Sequence, residues 1–287
     1  MVIGLLHPGE MGAAVAGCLT GRGLEVGWVP AGRSPVTAGR AAAAGLTAVP
    51  AVSDLAARAG VILSICPPHA ALATAQAVAG APGGFPGVFV DANAISPGTA
   101  RQVRAVVEQA GASYVDGGII GLPPGGTAGG TRLYLSGPRA ADVRDLFTGT
   151  ELDARVIDPG PGSVAASAVK MAYAGWTKGT AALLLTVRAL AQAEGVADTL
   201  LGEWALSQPE LAGRSAAAAR SAEAKGWRWT GEMTEIAASL AAAGLPDGFH
   251  QAAADIFRRT RPSPADGPAD DSADATTDRV LRLILDG

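Results

Sequence analysis

The sequence predicts an α/β protein: a doubly wound parallel sheet over 1–160, followed by an all-helical domain over 163–287. Three observations predict it. Short apolar runs alternate with helical stretches up to about residue 160, which is how a parallel sheet wrapped by helices reads. The first run passes through a glycine-bearing turn straight into a helix. Beyond Gly162 the strand signal stops and Ala-rich helical stretches take over.

Strands are expected over 2–6, 26–29, 61–66, 88–91 and 114–116, with helices over 10–21, 70–79 and 97–110 among the stretches between them. Such strands are parallel because a helical crossover separates them. Residues 131–136 add a strand and 154–157 a last one. A long helix is expected over 163–193, then helices over 197–206, 210–225, 231–243 and 247–259. The stretch 261–277 is rich in Pro, Ala, Asp and Ser and reads as a surface loop. A short helix over 277–285 closes the chain.

The 287 residues carry a net charge of −4 with 17% charged residues. That balance argues against nucleic acid as the main partner. No apolar run reaches about 18 residues, so no membrane span is expected. The opening Met1-Val2-Ile3 reads as the approach to a strand, without a basic secretion-signal region. Cys18 and Cys66 fit no metal spacing, and His7, His69 and His250 are scattered. A reduced, cytoplasmic protein without a metal is the expectation.

The first strand runs into His7-Pro8-Gly9-Glu10-Met11-Gly12 and then a helix, the context of a Rossmann-type dinucleotide-binding turn. Gly9 would let the backbone approach a pyrophosphate, and Gly12 would let helix and strand pack. His7 stands where the first glycine is usual. The second strand ends Trp28-Val29-Pro30-Ala31-Gly32-Arg33-Ser34. A carboxylate for the ribose hydroxyls of NAD is expected there, and none occurs between Glu25 and Asp54. Arg33 and Ser34 suit a 2′-phosphate instead, so NADP is favoured over NAD. Cys66-Pro67 and Asn93 follow two further strands and would line the same crevice. Cys66 reads as a packed residue rather than a reactive thiol.

Lys170 is the other singular residue. It lies in an apolar helical run with no Asp or Glu between Asp158 and Glu194. Ser163, Ser167, Lys170, Ala174 and Thr177 share one stripe at helical spacing. A lysine there either snorkels to solvent or faces a wet cleft, where it can exchange a proton.

With Gly9-Glu10-Met11-Gly12, Pro67, Asp91…Ile95-Ser96-Pro97, Asp116-Gly117-Gly118 and Lys170 in place, the chain resembles the β-hydroxyacid dehydrogenase and 6-phosphogluconate dehydrogenase superfamily. The strings 170–174, 176–179 and 229–237 resemble a branch with a less characterised helical domain. The resemblance implies Lys170 as general acid/base while hydride passes to or from the nicotinamide. Two positions depart from the family. Ala174 replaces an Asn one turn after the lysine, and Ile120-Gly121-Leu122 replaces a substrate-clamping Ser-Gly-Gly. A substrate bulkier or less anionic than a simple 3-hydroxyacid is implied. Imine reductases share the architecture and the Asp116…Pro124 pattern but usually carry another residue at the lysine position.

The remaining candidates lie on the helical half. Lys178, eight residues after Lys170, suits an anionic group. Trp227, Trp229, Glu232, Glu235 and His250 either face a cleft or form a solvated acidic face over buried tryptophans. Gly118, Ile120, Gly121, Ser167, Ala174, Lys178, Trp229 and Glu232 are the candidate substrate contacts. The reading is an NADP-dependent oxidoreductase, expected as a homodimer acting on a small molecule. The alternatives are an imine reductase and a catalytically silent NADP-binding sensor or scaffold.

Overall fold

The computed structural model describes residues 1–125, 130–157, 160, 162–260 and 273–287. They form two compact units, Met1–Met171 and Ala172–Gly287. The sequence places the break at 160–163. In the structure the first two turns of the long helix pack with the sheet.

The first unit is built on one sheet. Its strands are β1 (Val2–Leu6), β2 (Glu25–Trp28), β3 (Thr47–Ala48), β4 (Ala59–Ser64), β5 (Val88–Asp91), β6 (Ser113–Ile120), β7 (Arg132–Ser136) and β8 (Asp153–Val156). Their order is β3-β2-β1-β4-β5-β6-β7-β8. Every neighbouring pair is parallel except β6 and β7. The chain winds outward from β1 to β3 and then returns to β4. The strand order therefore reverses between β1 and β4, where open α/β sheets place their ligand crevice.

Helices cover both faces, so the central strands are apolar on both sides. Val61, Leu63, Val88 and Val90 pack into one core with Val15 and Leu19 of α1 (Glu10–Thr20). Ile62 and Phe89 point the other way. They join Leu55 of α3 (Val52–Arg58), Val78 of α4 (Ala71–Ala79) and Val103 of α5 (Pro97–Gln109).

Three short elements escape the apolar-run reading: α2 (Pro35–Ala43), α3 and α6 (Ala140–Asp145). They are short and Ala-rich, so their hydrophobic period is weak. Strand β3 is only a two-residue bridge. Strand β6 is longer than 114–116 because Gly117 and Gly118 belong to it despite their low strand propensity. A Cβ at Gly117 would lie 3.0 Å from the Asp91 carbonyl oxygen, and one at Gly118 2.5 Å from that of Ala166. Close approach of backbone decides the residue type here.

Helix α7 (Ala165–Ala193) leads into the second unit, followed by α8 (Ala197–Ser207), α9 (Glu210–Ala242), α10 (Gly248–Arg259) and α11 (Ala273–Asp286). The expected helices 210–225 and 231–243 are one helix. Gly226 does not break it. A Cβ there would lie 2.5 Å from Thr260 Oγ1, so Gly226 admits the end of α10. Helix α11 starts four residues before the expected 277; residues 261–272 of the expected loop lie outside the described residues. Among the described residues no helix is long and apolar enough to cross a membrane. No group of three His, Cys, Asp or Glu among them could hold a metal ion.

Candidate active site

The crevice of the first unit opens at the carboxyl ends of β1 and β2 and at the turn after β3. Gly9 begins α1 with extended backbone and no side-chain cap, which leaves first-turn amides to receive an anion. A Cβ at Gly12 would lie 2.6 Å from the His7 carbonyl oxygen, so only glycine lets α1 sit so close to the turn. Met11 packs against the core, and Glu10 lies 3.7 Å from Arg40. Leu5, Leu6, His7, Val29, Ala31, Arg33, Pro50, Ala51 and Val52 enclose a cleft of about 290 Å³. Arg33 is the guanidinium on that wall, and no carboxylate lines it. Ser34 serves differently from the expectation. Its Oγ accepts from the Thr37 amide at 3.2 Å and caps α2. Its oxygen thus holds the helix that follows Arg33.

The next strand ends carry a buried polar network. Asn93 Nδ2 donates to Asp91 Oδ1 at 2.6 Å and to Ser64 Oγ at 3.1 Å. The Cys66 amide donates to Asn93 Oδ1 at 2.6 Å. Both amide protons of Asn93 are thereby engaged, so it is a bracket for the Cys66-Pro67 turn rather than a ligand contact. Burial pushes the Cys66 thiol up to about 11, which keeps it protonated at neutral pH. Asp91 Oδ2 is buried without a hydrogen bond. Burial, and then the nearby Asp116, raise the Asp91 carboxyl to about 7 against the hydrogen bonds from Asn93.

Asp116 lies beside Asp91 in the β5–β6 register and opposite Ser136 of β7. Its carboxyl receives Ser136 Oγ at 2.9 Å, the Ser167 amide at 3.0 Å and the Ser167 hydroxyl. Ser136 Oγ also accepts from the Ala166 amide at 3.3 Å. Together these groups cap the start of α7. Burial still raises the Asp116 pKa, opposed by the Ser167 hydrogen bonds.

Ser167 is thus removed from the substrate set: it is 1% exposed and both its donors go to Asp116. Gly118 is removed as well, because α7 covers it. Ile120 is buried. Gly121, at φ +126°, begins the β6–β7 loop against Thr131. One turn beyond Ser167, Lys170 is half-buried, and its Nζ donates to the Ile119 carbonyl oxygen at 2.9 Å. The lysine is therefore held at the carboxyl end of β6.

In the second unit, Ala174 is buried and contributes no open surface. Lys178 and Glu232 pair at 2.5 Å, each side chain 16% exposed, and Lys178 Nζ lies 5.8 Å from the Trp229 ring. Trp229 meets Phe257 edge-on at 5.0 Å. Trp227 is 54% exposed, so the tryptophans do not form one buried layer under an acidic face. Thr177, Lys178, Thr180, Arg214, Ser221 and Trp229 line part of a groove of about 350 Å³ between α7 and α9. His250 is a packing residue. Its Nε2 lies 3.2 Å from the Gly175 carbonyl oxygen, and Gly175 and Gly179 make room for the ring.

Residues 2–147 match the NAD binding domain of 6-phosphogluconate dehydrogenase. The chain belongs to this family. It is an NAD(P)-dependent enzyme of the dehydrogenase type. Residues 191–260 of this 6-phosphogluconate-dehydrogenase-like chain match a domain of unknown function, DUF1932. No match is found among the curated proteins. Among solved structures, one similar protein is a conserved protein of unknown function described as structurally similar to 3-hydroxyacid dehydrogenases. It is 26% identical, with a TM-score of 0.65 over 91% of this chain and 99% of that one. The 3-hydroxyisobutyrate dehydrogenase of Mycobacterium tuberculosis, solved with L-serine, is 20% identical, with a TM-score of 0.69 over 99% and 98%. A reductive aminase from Aspergillus terreus is 19% identical, with a TM-score of 0.57 over 90% and 92%. These last two share the fold.

The buried Asp91 carboxyl sets a pH dependence. Its ordinary value is 3.8 and the fold raises it to about 7. Below the lower value both states hold the proton, and between the two only the folded state does. Stability therefore falls as pH rises from about 4 to 7 and levels off above. Asp91→Asn keeps an acceptor for Asn93 and removes the ionisation. Urea midpoints from about pH 5 to 8 should show the variant gaining on wild type as pH rises; a pH-independent difference would contradict this role.

Proposed function

We propose that this chain is an NADP-dependent oxidoreductase that moves a hydride between nicotinamide and the carbonyl or hydroxyl carbon of a small, hydroxyacid-like substrate, with Lys170 carrying the proton. The observation that carries the proposal is the Lys170–Ile119 hydrogen bond of 2.9 Å. It fixes an ammonium at the carboxyl end of a strand in a dinucleotide-binding sheet, the side on which such sheets bind ligands.

The residues present suit a nucleotide. Val29, Pro50 and Val52 offer apolar walls, and Arg33 offers charge without a competing carboxylate. The amides of the first turn of α1 would receive the pyrophosphate. The Cys66-Pro67 turn, braced by Asn93, would wall the crevice further along. When bound, the nicotinamide supplies or accepts the hydride. Lys170 gives a proton to the substrate oxygen on reduction and takes it back on oxidation. The working compartment is the cytoplasm, where the free thiols Cys18 and Cys66 stay reduced.

Assembly as a homodimer is part of the proposal. Tyr173, Trp176, Leu183 and Leu190 of α7 are 47, 67, 46 and 61% exposed. Their spacing follows a heptad seam, which a second copy of the same helix can match. Light scattering should give twice the chain mass at tens of micromolar. A monomer without concentration dependence would remove the dimer.

Arg33→Ala removes a charge-assisted contact worth about 1.5–3 kcal/mol. NADPH should bind roughly ten-fold or more weakly, with NADH nearly unchanged, in a fluorescence titration. Equal wild-type affinity for both cofactors would overturn the NADP preference.

Lys170→Ala should leave NADPH affinity intact and lower turnover by about 10²–10⁴, on a substrate found by screening keto acids, aldehydes and cyclic imines. Lys170→Arg should not restore it, since a guanidinium does not release its proton near neutral pH. Turnover within about three-fold of wild type would end the proton-carrier role. The C=N reductase reading would then replace this one.

A further inference from the structure

His7 occupies the place where a dinucleotide-binding turn ordinarily has its first glycine. Its φ is +68°, and among the described residues no other non-glycine has a positive φ. The left-handed region is unfavourable for a residue with a β-carbon. The turn does not let His7 relax. Its carbonyl oxygen accepts from the Gly9 amide at 2.8 Å and lies against Gly12. The strain therefore persists, and it puts an imidazole on the wall of the cleft that Leu5, Val29, Arg33 and Pro50 also line.

The ring is not satisfied there. His7 Nδ1 is buried and has no hydrogen-bond partner, a condition that costs free energy unless a ligand supplies the partner. Burial, and then the Arg33 guanidinium, push the imidazole down to about 4, against a hydrogen bond to the Leu6 backbone. The ring is neutral at pH 7, so it offers one donor and one acceptor. A second cation beside Arg33 is unfavourable in this cleft. An anion set between ring and guanidinium removes that repulsion and favours the protonated ring, whose second N–H donates to it while the first stays with the Leu6 backbone.

We propose that His7 is a specificity-determining residue of the nucleotide cleft: its imidazole donates to a 2′-phosphate that Arg33 also holds. The assignment rests on the reading of this cleft as a nucleotide site. It also gives the strain at residue 7 a purpose, because glycine would satisfy the backbone better and would leave Arg33 as the cleft wall's lone polar side chain toward that phosphate.

The test separates the two readings. Calorimetric titration with 2′,5′-ADP and 5′-AMP is run on wild type, His7→Gly and His7→Asn. Wild type should prefer 2′,5′-ADP. His7→Gly suits the left-handed backbone and should unfold near the wild-type temperature. It should lose about ten-fold in affinity for 2′,5′-ADP and less than about three-fold for 5′-AMP. His7→Asn tolerates the same backbone and keeps a hydrogen-bonding side chain, so it should recover part of the loss; it also carries the comparison if His7→Gly does not fold. Equal losses for the two compounds, no loss, or a wild type without preference would overturn the role of His7 and leave the cleft a nucleotide site. A wild type that binds neither compound would overturn the nucleotide reading, and this assignment with it.

Discussion

The first unit depends on one buried carboxyl group. Asp116 takes the Ser167 amide and hydroxyl on one side and Ser136 on the other. It thereby fastens the start of a 29-residue helix to the middle of the sheet. A helix N-terminus presents unpaired amides and a partial positive charge, and a carboxyl group answers both. The contact is possible only because Gly118 has no side chain where α7 crosses β6. Lys170 inherits its position from this anchor. It lies one turn past Ser167 and reaches the same strand at Ile119. Asp116 therefore sets the place of Lys170 through the helix it holds.

A row of polar side chains crosses the sheet at this level. Ser64, Asp91, Asp116 and Ser136 are in register on four adjacent strands, and all are buried. Elsewhere the buried positions of these strands hold aliphatic, aromatic or glycine residues. Burying four polar groups is unfavourable unless they pair, and most of them do. Asp91 remains the exception, with one oxygen unmatched and a carboxyl that keeps its proton toward neutral pH. Its contribution is indirect: it holds Asn93, and Asn93 holds the turn at Cys66. The crevice is thus shaped from behind by groups that do not face it.

What the sequence reveals follows from which signals are local. Strands such as Val2–Leu6 and Val88–Asp91 are continuous apolar runs and read directly. The Gly9–Gly12 turn is legible because its neighbours in sequence form it. Strand β6 past Asp116 is not legible, because Gly117 and Gly118 are chosen by backbone from other elements. The same holds for α9, where Gly226 mimics a helix break but accommodates Thr260. Ser167 shows the limit of a helical stripe. Three residues apart on a helix means roughly 60° around it. Ser167 can face Asp116 while Lys170 reaches along β6. Ser34 and Asn93 suggest ligand contacts in the sequence because polar residues at strand ends often serve so. A cap and a bracket use the same residue types, and only their partners in the folded chain distinguish them.

The raised thiol at Cys66 has a consequence for the durability of the enzyme. Oxidants attack thiolates far faster than thiols, and a thiol lifted to about 11 is almost wholly protonated at neutral pH. The crevice thus carries a sulfur atom next to its turn without carrying an oxidation target. Peroxide exposure that inactivates enzymes with low-pKa cysteines should leave this turn chemically intact.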